Sequence, residues 1–124
     1  MSQPLALVLY ENIMPGSRLV NMLQDLGYRV VSLHEPSLLV TRAQQEKPLV
    51  VLAELGSTGG NVCAAIAKLR KDAATKHLPV IAFGDDTNAN LHDTARTAGA
   101  TLVVSKSGLL EQLEVLLDQA LDVH

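Results

Sequence analysis

Aromatic residues are almost absent from this chain of 124 residues, which has two tyrosines, one phenylalanine and no tryptophan. Its hydrophobic core must therefore be built from aliphatic side chains. The sequence also lacks an excess of positive charge, since 10 lysines and arginines are outnumbered by 13 aspartates and glutamates. Because nucleic acids and anionic membranes are bound through clustered basic residues, this balance argues against both as direct partners.

Disulfide bonds and membrane-spanning segments are not expected either. Cys63 is the single cysteine, so no disulfide can form within the chain. The residues after Met1 lack the basic and then apolar pattern of a secretion signal, and no apolar run approaches the ~20 residues that span a bilayer. We therefore expect a cytoplasmic protein, and the length fits one domain over residues 1–124.

Five short apolar runs alternate with segments of helical periodicity. The runs have few polar interruptions, which is typical of strands buried on both faces of a parallel sheet. They cover residues 5–10, 29–33, 49–53, 80–83 and 101–104. Alternating strands and helices with short connections predict an α/β fold, a single doubly wound (βα)5 domain of the flavodoxin type with a parallel sheet in the order 2-1-3-4-5.

The helical segments between these runs differ in how clearly they are marked. Apolar residues at i, i+3, i+4 spacing mark the first, third and fifth helices. The second helix, near residues 35–46, and the fourth, near residues 88–98, have weaker patterns. The inward face of the fourth helix would consist of Leu91, Ala95 and Ala98, and small side chains there predict loose packing.

A glycine-rich loop follows the third run, at the edge of the sheet where folds of this type bind ligands. Glu54 and Leu55 lead into Gly56-Ser-Thr-Gly-Gly-Asn61, a composition that suggests a phosphate cradle. A P-loop, however, needs a lysine and a hydroxyl residue after its last glycine, and a dinucleotide loop needs the spacing G-x-G-x-x-G. Neither pattern is present, so a small flavodoxin-like binder of nucleotide or flavin is the least favoured interpretation.

Several stretches, taken in order, resemble the receiver domains of two-component response regulators, the CheY-like family. Residues 47–54 are similar to the third strand of that family, which ends in the phosphoacceptor aspartate. Residues 69–81 are similar to its third helix and fourth strand, and residues 98–106 to the approach to its lysine. The resemblance covers nearly the whole chain, and it implies signal transduction by a cytoplasmic domain of the kind that acts in phosphorelays.

The resemblance also implies where the receiver pocket lies and how it has changed. The phosphoacceptor falls on Glu54, and the acidic pair that holds Mg²⁺ falls on Tyr10 and Glu11. The hydroxyl residue falls on Gly84, and the lysine falls on Lys106. Only Glu11 and Lys106 keep the residue type of the family. The proline that follows the lysine is replaced by Ser107, and the aromatic residue of the fifth strand is replaced by Val103.

These changes predict a pocket without phosphotransfer chemistry. A glutamate places its carboxylate one methylene further out than an aspartate, and a misplacement of ~1 Å can cost ~100-fold in rate. We therefore expect no catalytic residue, no cofactor and no enzyme activity. Mg²⁺ binding should be absent or weak, with Glu11, Glu54 and the Gly56 carbonyl as weak candidate ligands, and Asp85 could partly replace the missing acid. Glu54 should be paired with Lys106 rather than solvated.

The function that we predict is that of an atypical receiver, or pseudo-receiver, which acts through protein contacts without aspartyl phosphorylation. A receiver with residual phosphorylation activity is the alternative. The partner would be a protein of a signalling pathway or a second copy of the chain. We expect the partner surface on the fourth helix, the fifth strand and the fifth helix, with the candidate residues Leu91, Val103, Glu111, Glu114 and Asp118.

Overall fold

Five parallel strands form a single sheet. The computed structural model describes residues 3–11, 13–56, 59–84 and 89–121 of the chain. The strands are β1 (Leu5–Leu9), β2 (Arg29–Leu33), β3 (Val50–Leu55), β4 (Val80–Gly84) and β5 (Leu102–Ser105). Their order in the sheet is β2-β1-β3-β4-β5, so the predicted fold class and strand order are confirmed.

Helices connect the strands and cover both faces of the sheet. They are α1 (Ile13–Asp25), α2 (Leu39–Glu46), α3 (Gly59–Lys71), α4 (Ala89–Ala98), α5 (Lys106–Glu111) and α6 (Leu113–Leu121), with a 3-10 turn at Pro36–Leu38 before α2. Glu35, the predicted first residue of the second helix, is extended with φ −121°, because a residue before proline disfavours helical angles. The prediction for the fourth helix starts at Asn88, which lies outside the described residues. None of the described helices is long and apolar enough to cross a membrane.

The fifth predicted helix consists of two helices, α5 and α6. Gln112 between them has φ −125° and ψ 29°, which are not helical angles. Its N–H still donates to the Gly108 carbonyl at 3.0 Å, and its own carbonyl accepts from Leu116 N–H at 2.9 Å. The break is therefore a local distortion. The leucine spacing continues across it, which is why the apolar pattern does not reveal it.

Two hydrophobic layers enclose the sheet. Helices α2, α3 and α4 cover one face, which includes Val51, Ala53 and Leu55 of β3. Helices α1, α5 and α6 cover the other face, which includes Val50 and Leu52 of the same strand. Because successive side chains of a strand point to opposite faces, a strand covered on both sides must be apolar throughout.

The α2–α3–α4 layer contains the inward face predicted for α4. Ala95 is fully buried, and Leu91 and Ala98 pack against the same core with part of their surface exposed. Cys63 of α3 is buried in this layer, and burial raises the pKa of its thiol. Cys63 is therefore a small core residue rather than a reactive thiol.

Arg70 of α3 holds together the loops at the amino ends of the strands. Its guanidinium donates hydrogen bonds to the carbonyl oxygens of Lys76 and Gly99 at 2.8 Å and of Leu78 at 2.6 Å. It also donates to Thr101 Oγ1 at 3.2 Å. Burial lowers the pKa of this guanidinium, which still carries its charge at neutral pH. Arg70 thus has a structural role far from the pocket.

Candidate functional site

The carboxyl ends of β3 and β5 bring Glu54 and Lys106 into contact. Glu54 is 1% exposed, and its Oε2 atom is 3.3 Å from Lys106 Nζ. Lys106 begins α5 directly after β5, and its side chain is 35% exposed. The expected ion pair is therefore present, and it offsets part of the high cost of burying an ionised carboxylate.

The second oxygen of Glu54 is engaged as well. Glu54 Oε1 accepts a hydrogen bond from the backbone N–H of Glu11 at 2.7 Å. β1 and β3 are neighbours with Leu9 opposite Ala53, so the residues just beyond this pair lie side by side at the edge of the sheet. Hydrogen bonds to ionised carboxylates are about twice as strong as those between neutral groups. The Glu54 carboxylate thus ties the segments that follow β1 and β5 to the end of β3.

Glu11 directs its own carboxylate toward the loop that follows β3. A Cβ atom added at Gly56 would overlap Glu11 Oε2, so glycine permits this close approach to the backbone. The three weak candidate ligands for Mg²⁺, Glu11, Glu54 and Gly56, therefore lie close to one another. Both Glu54 oxygens already have protein partners, however. Among the described residues, no group of three or more His, Cys, Asp or Glu side chains could hold a metal ion.

Tyr10 stands where the resemblance places an acid, and its ring is packed against other protein groups. The ring joins the core of the α1–α5–α6 layer and lies so close to α1 that any side chain at Gly16 would overlap it. His34, which follows β2, meets the ring edge-to-face at a centroid distance of 4.7 Å. His34 Nδ1 also lies 3.2 Å from the Tyr10 carbonyl oxygen.

Sequence reasoning missed this role of His34, because it tested the histidines only as metal ligands. The predicted strand order held the signal that could have found it. β1 and β2 are adjacent, with Leu9 opposite Leu33, so Tyr10 and His34 must follow them side by side. An aromatic ring and an imidazole in such positions readily form an edge-to-face contact.

The described side chains close the cleft at the centre of this site. The cleft leaves no volume for a water-sized sphere, and its lining residues are Leu9, Tyr10, Glu11, His34, Pro36, Glu54 and Val62. A protein-bound Mg²⁺ ion keeps several water ligands in an octahedral arrangement. The residues that line this cleft therefore leave no room within it for an ion that keeps its water ligands.

Gly84 ends β4, at the position where the resemblance places a hydroxyl. A Cβ atom added there would lie 2.9 Å from the Leu55 carbonyl oxygen and 3.0 Å from Leu55 Cβ. A threonine or serine would therefore require movement of the backbone. The same Cβ would lie 3.7 Å from Nε2 of His92 on α4. This nitrogen is buried and has no hydrogen-bond partner within the described part of the chain.

The five candidate partner residues have different surroundings. Leu91 and Val103 are partly buried against the core of the α2–α3–α4 layer. Glu111 and Glu114 are exposed on the other side of the sheet, where they line a groove beside α1. Asp118 is close enough to Tyr28 to raise the pKa of that phenol, although burial is the larger cause. The partner surface on the fourth helix, the fifth strand and the fifth helix stays a prediction, since β5 is an edge strand of the sheet and the helices on either side of it flank that edge.

Solved structures of response regulators have the architecture of this chain. A protein from Chloroflexus aurantiacus assigned as a response regulator is 16% identical, with a TM-score of 0.89 over 98% of this chain and 100% of that chain. The receiver domain of a sensor histidine kinase from Pseudomonas aeruginosa is 18% identical, with a TM-score of 0.85 over 98% and 100% of the two chains. The chain has the receiver fold. The chemotaxis protein CheY4 from Vibrio cholerae agrees at 18% identity, with a TM-score of 0.83 over 96% and 99%.

The receiver fold is present here with little sequence identity to those proteins. The sequence matches no protein-family model and no curated protein. The Pseudomonas domain was crystallised with a magnesium ion in its active-site cleft. The likeness therefore establishes the fold, and the chemistry must be argued from the residues of the cleft.

Proposed function

We propose that this domain is an atypical receiver of two-component signalling, which binds a protein partner without aspartyl phosphorylation and has no enzyme activity of its own. The single observation that supports this proposal best is the pairing of Glu54 with both Lys106 and the Glu11 N–H. These contacts hold both carboxylate oxygens of Glu54 in place.

Phosphoryl transfer to Glu54 would require one of its oxygens to leave a partner and attack a donor in line. The carboxylate is buried, and the cleft that it lines together with Tyr10, Glu11 and His34 leaves no space for a water-sized sphere. A nucleophile must approach within about 3–3.5 Å of the reacting atom and in line with the leaving group. We therefore expect no transfer on the timescale of signalling.

The parts that would read a phosphoryl group in a receiver are replaced as well. Gly84 has no hydroxyl to offer, and the backbone around it has no room for one. Val103 has no ring to move. Glu54 provides one negative charge where a phosphoaspartate would carry nearly two. A fixed charge of this kind holds one conformation and cannot shift the population between two.

The first test is phosphorylation with a small donor. Incubation with acetyl phosphate and Mg²⁺ should leave the intact mass unchanged, while a receiver domain with a complete pocket, treated in parallel, gains one phosphoryl group. The Glu54→Asp variant is the matched control, and we expect its mass to stay unchanged too, because Tyr10 and Gly84 remain. An acid-labile mass gain that maps to residue 54 of the parent would contradict the proposal and favour a receiver with residual activity.

A further inference from the structure

β2 lies at one edge of the sheet, and its outer side is open. It pairs with β1 over all five of its residues without a bulge. The side chains of Arg29 and Ser32 are exposed, and those of Val30 and Val31 are partly exposed. Proteins usually protect such an edge with a bulge, or with a charged residue or proline inside the strand. The one charged residue of β2, Arg29, stands at its first position, so the strand is left accessible to another strand.

The backbone groups of β2 alternate between its two sides. Arg29 N–H donates a hydrogen bond of 2.8 Å to the segment before β1, and the Leu33 carbonyl accepts one of 3.0 Å from the segment after β1. Because alternate residues of a strand turn their N–H and C=O groups to the same side, the outward groups belong to Val30, Ser32 and His34. None of these outward groups has a hydrogen-bond partner in the part of the chain that the structure describes.

Both ends of this open edge are closed. At the start, Tyr28 N–H already donates to the Leu23 carbonyl at 3.0 Å. At the other end, Glu35 keeps extended angles, with φ −121° and ψ 120°, and Pro36 after it has no N–H to donate. The open edge therefore runs from Arg29 to Glu35, with a basic residue at its start and an acidic residue at its end.

We propose that this edge pairs with the same edge of a second copy of the chain, antiparallel and about a twofold axis at Ser32. With Ser32 opposite Ser32, Val30 of one copy lies opposite His34 of the other. Each of these pairs exchanges two N–H···O bonds, so every outward group of the edge finds a partner. The same register places Tyr28 opposite Pro36, and neither of these residues has a free N–H.

The charges at the two ends of the edge favour this register over its neighbours. Arg29 of each copy lies opposite Glu35 of the other in a pair without backbone bonds, where side chains approach most closely. Both side chains are exposed, and neither has an ion-pair partner among the described residues. A shift of the axis by one residue in either direction would leave both charges opposite uncharged residues.

A second copy also suits this edge because a twofold contact joins the same patch of both copies and closes on itself. The other edge strand, β5, is shorter, with four residues, and Lys106 directly after it is paired with Glu54. One strand pair is a small interface, so we expect a weak, concentration-dependent dimer. The inference goes beyond the proposed function and does not rest on it.

Amide exchange measured by nuclear magnetic resonance at low and at high concentration tests the pairing. At about 1 mM, the amide protons of Val30, Ser32 and His34 should exchange about threefold more slowly than in dilute solution, because the dimer removes them from water. The amides of Val31 and Leu33 face β1 and should be equally protected at both concentrations. Sedimentation at the same two concentrations should show the change from monomer to dimer.

Two charge reversals test the register. Arg29→Glu and Glu35→Arg each place like charges opposite one another, and each alone should weaken the dimer about tenfold. An equal mixture of the two variants should associate as the parent does, because each copy then meets opposite charges at both ends of the edge. Lys76→Glu, at an exposed lysine between α3 and β4, is the matched control and should leave the dimer unchanged.

The pairing is overturned by a chain that stays monomeric at about 1 mM, or by a dimer whose slowed amides lie outside residues 29–35. It is also overturned if the mixture of Arg29→Glu and Glu35→Arg associates no better than either variant alone. Recovery in the mixture excludes misfolding as the cause of the single losses. These outcomes are independent of the phosphorylation test, since a mass gain contradicts only the proposed function, whereas a monomer contradicts only the strand pairing.

Discussion

At the scale of single residues, the partners of one carboxylate decide what the site can do. A sequence reader sees that glutamate replaces an aspartate at position 54, and opposite charge makes Lys106 an obvious partner. The hydrogen bond from the Glu11 N–H could not be predicted, because every residue except proline carries the same backbone donor. Only the register of β1 against β3 selects the one that meets Glu54.

Removal of the lysine charge should destabilise the fold. In Lys106→Met the buried Glu54 carboxylate loses its counter-charge, and breaking a fully buried pair costs about 3–5 kcal/mol. Because the Lys106 side chain is 35% exposed, we expect a smaller loss, about 1–3 kcal/mol in the free energy of unfolding. Urea titration measures it, and Lys76→Met, at an exposed lysine, should have little effect.

A Lys106→Met protein as stable as the parent would mean that the ion pair contributes nothing. The variant Glu54→Gln provides a second measurement in the Lys106→Met background. An uncharged amide no longer needs the counter-charge, so the double variant should regain part of the lost stability. If the double variant is less stable than Lys106→Met, the loss of stability in Lys106→Met is not caused by the Glu54 charge left without Lys106.

At the scale of elements, tight contact between strand ends limits how the pocket can change. Gly84 closes β4 against Leu55 of β3, and its neighbours leave no space for a side chain. The sequence shows that the hydroxyl is missing at position 84, but it cannot show that Leu55 occupies the space where a side chain would lie. Contact distances between adjacent strands depend on twist and register, which are properties of the assembled sheet.

Gly84→Ala tests this closure. A glycine-to-alanine change in open space usually stabilises a protein by about 0.4–1 kcal/mol, because it restricts the unfolded chain. Here the added Cβ would lie 2.9 Å from a backbone oxygen, so we expect a loss of about 1–3 kcal/mol, as for overpacking. Thermal and urea unfolding measure the sign directly. A stabilised Gly84→Ala protein would show that the end of β4 can accept a side chain.

At the scale of the whole molecule, the α1–α5–α6 layer joins the first helix to the last. Tyr28, which follows α1, packs into this layer, and Asp118 of α6 lies near its hydroxyl. Burial and then the Asp118 charge raise the pKa of Tyr28 above its ordinary value of 10.0. The phenol is neutral when protonated, so its contribution to stability is complete below about pH 10 and is lost as the pH rises through the folded pKa.

Asp118→Asn should lower the pKa of Tyr28 without restoring the ordinary value, because burial remains. The measurement is the ring-carbon signal of Tyr28 followed against pH by nuclear magnetic resonance. The fall in the free energy of unfolding above about pH 10 should begin at the same pH in parent and variant and end earlier in the variant. A Tyr28 midpoint that does not move in Asp118→Asn would remove Asp118 from the explanation.

The sequence by itself determined the sheet of this protein. An apolar run such as residues 49–53 is typical of a strand covered on both faces, and alternation with helices then leaves few topologies. The sequence also determined the residue types of the pocket, because the pocket residues lie at or just after the carboxyl ends of the strands.

Only the tertiary structure decided how those residues are used. The engagement of both Glu54 oxygens, the packing of His34 on Tyr10 and the position of Glu114 beside α1 all depend on neighbours that are distant in the chain. Sequence spacing reports the face of one helix or strand, while the contact between two of them is set by crossing angle, twist and register. Glu111 and Glu114, for example, lie beside α1 because α1, α5 and α6 pack on the same face of the sheet.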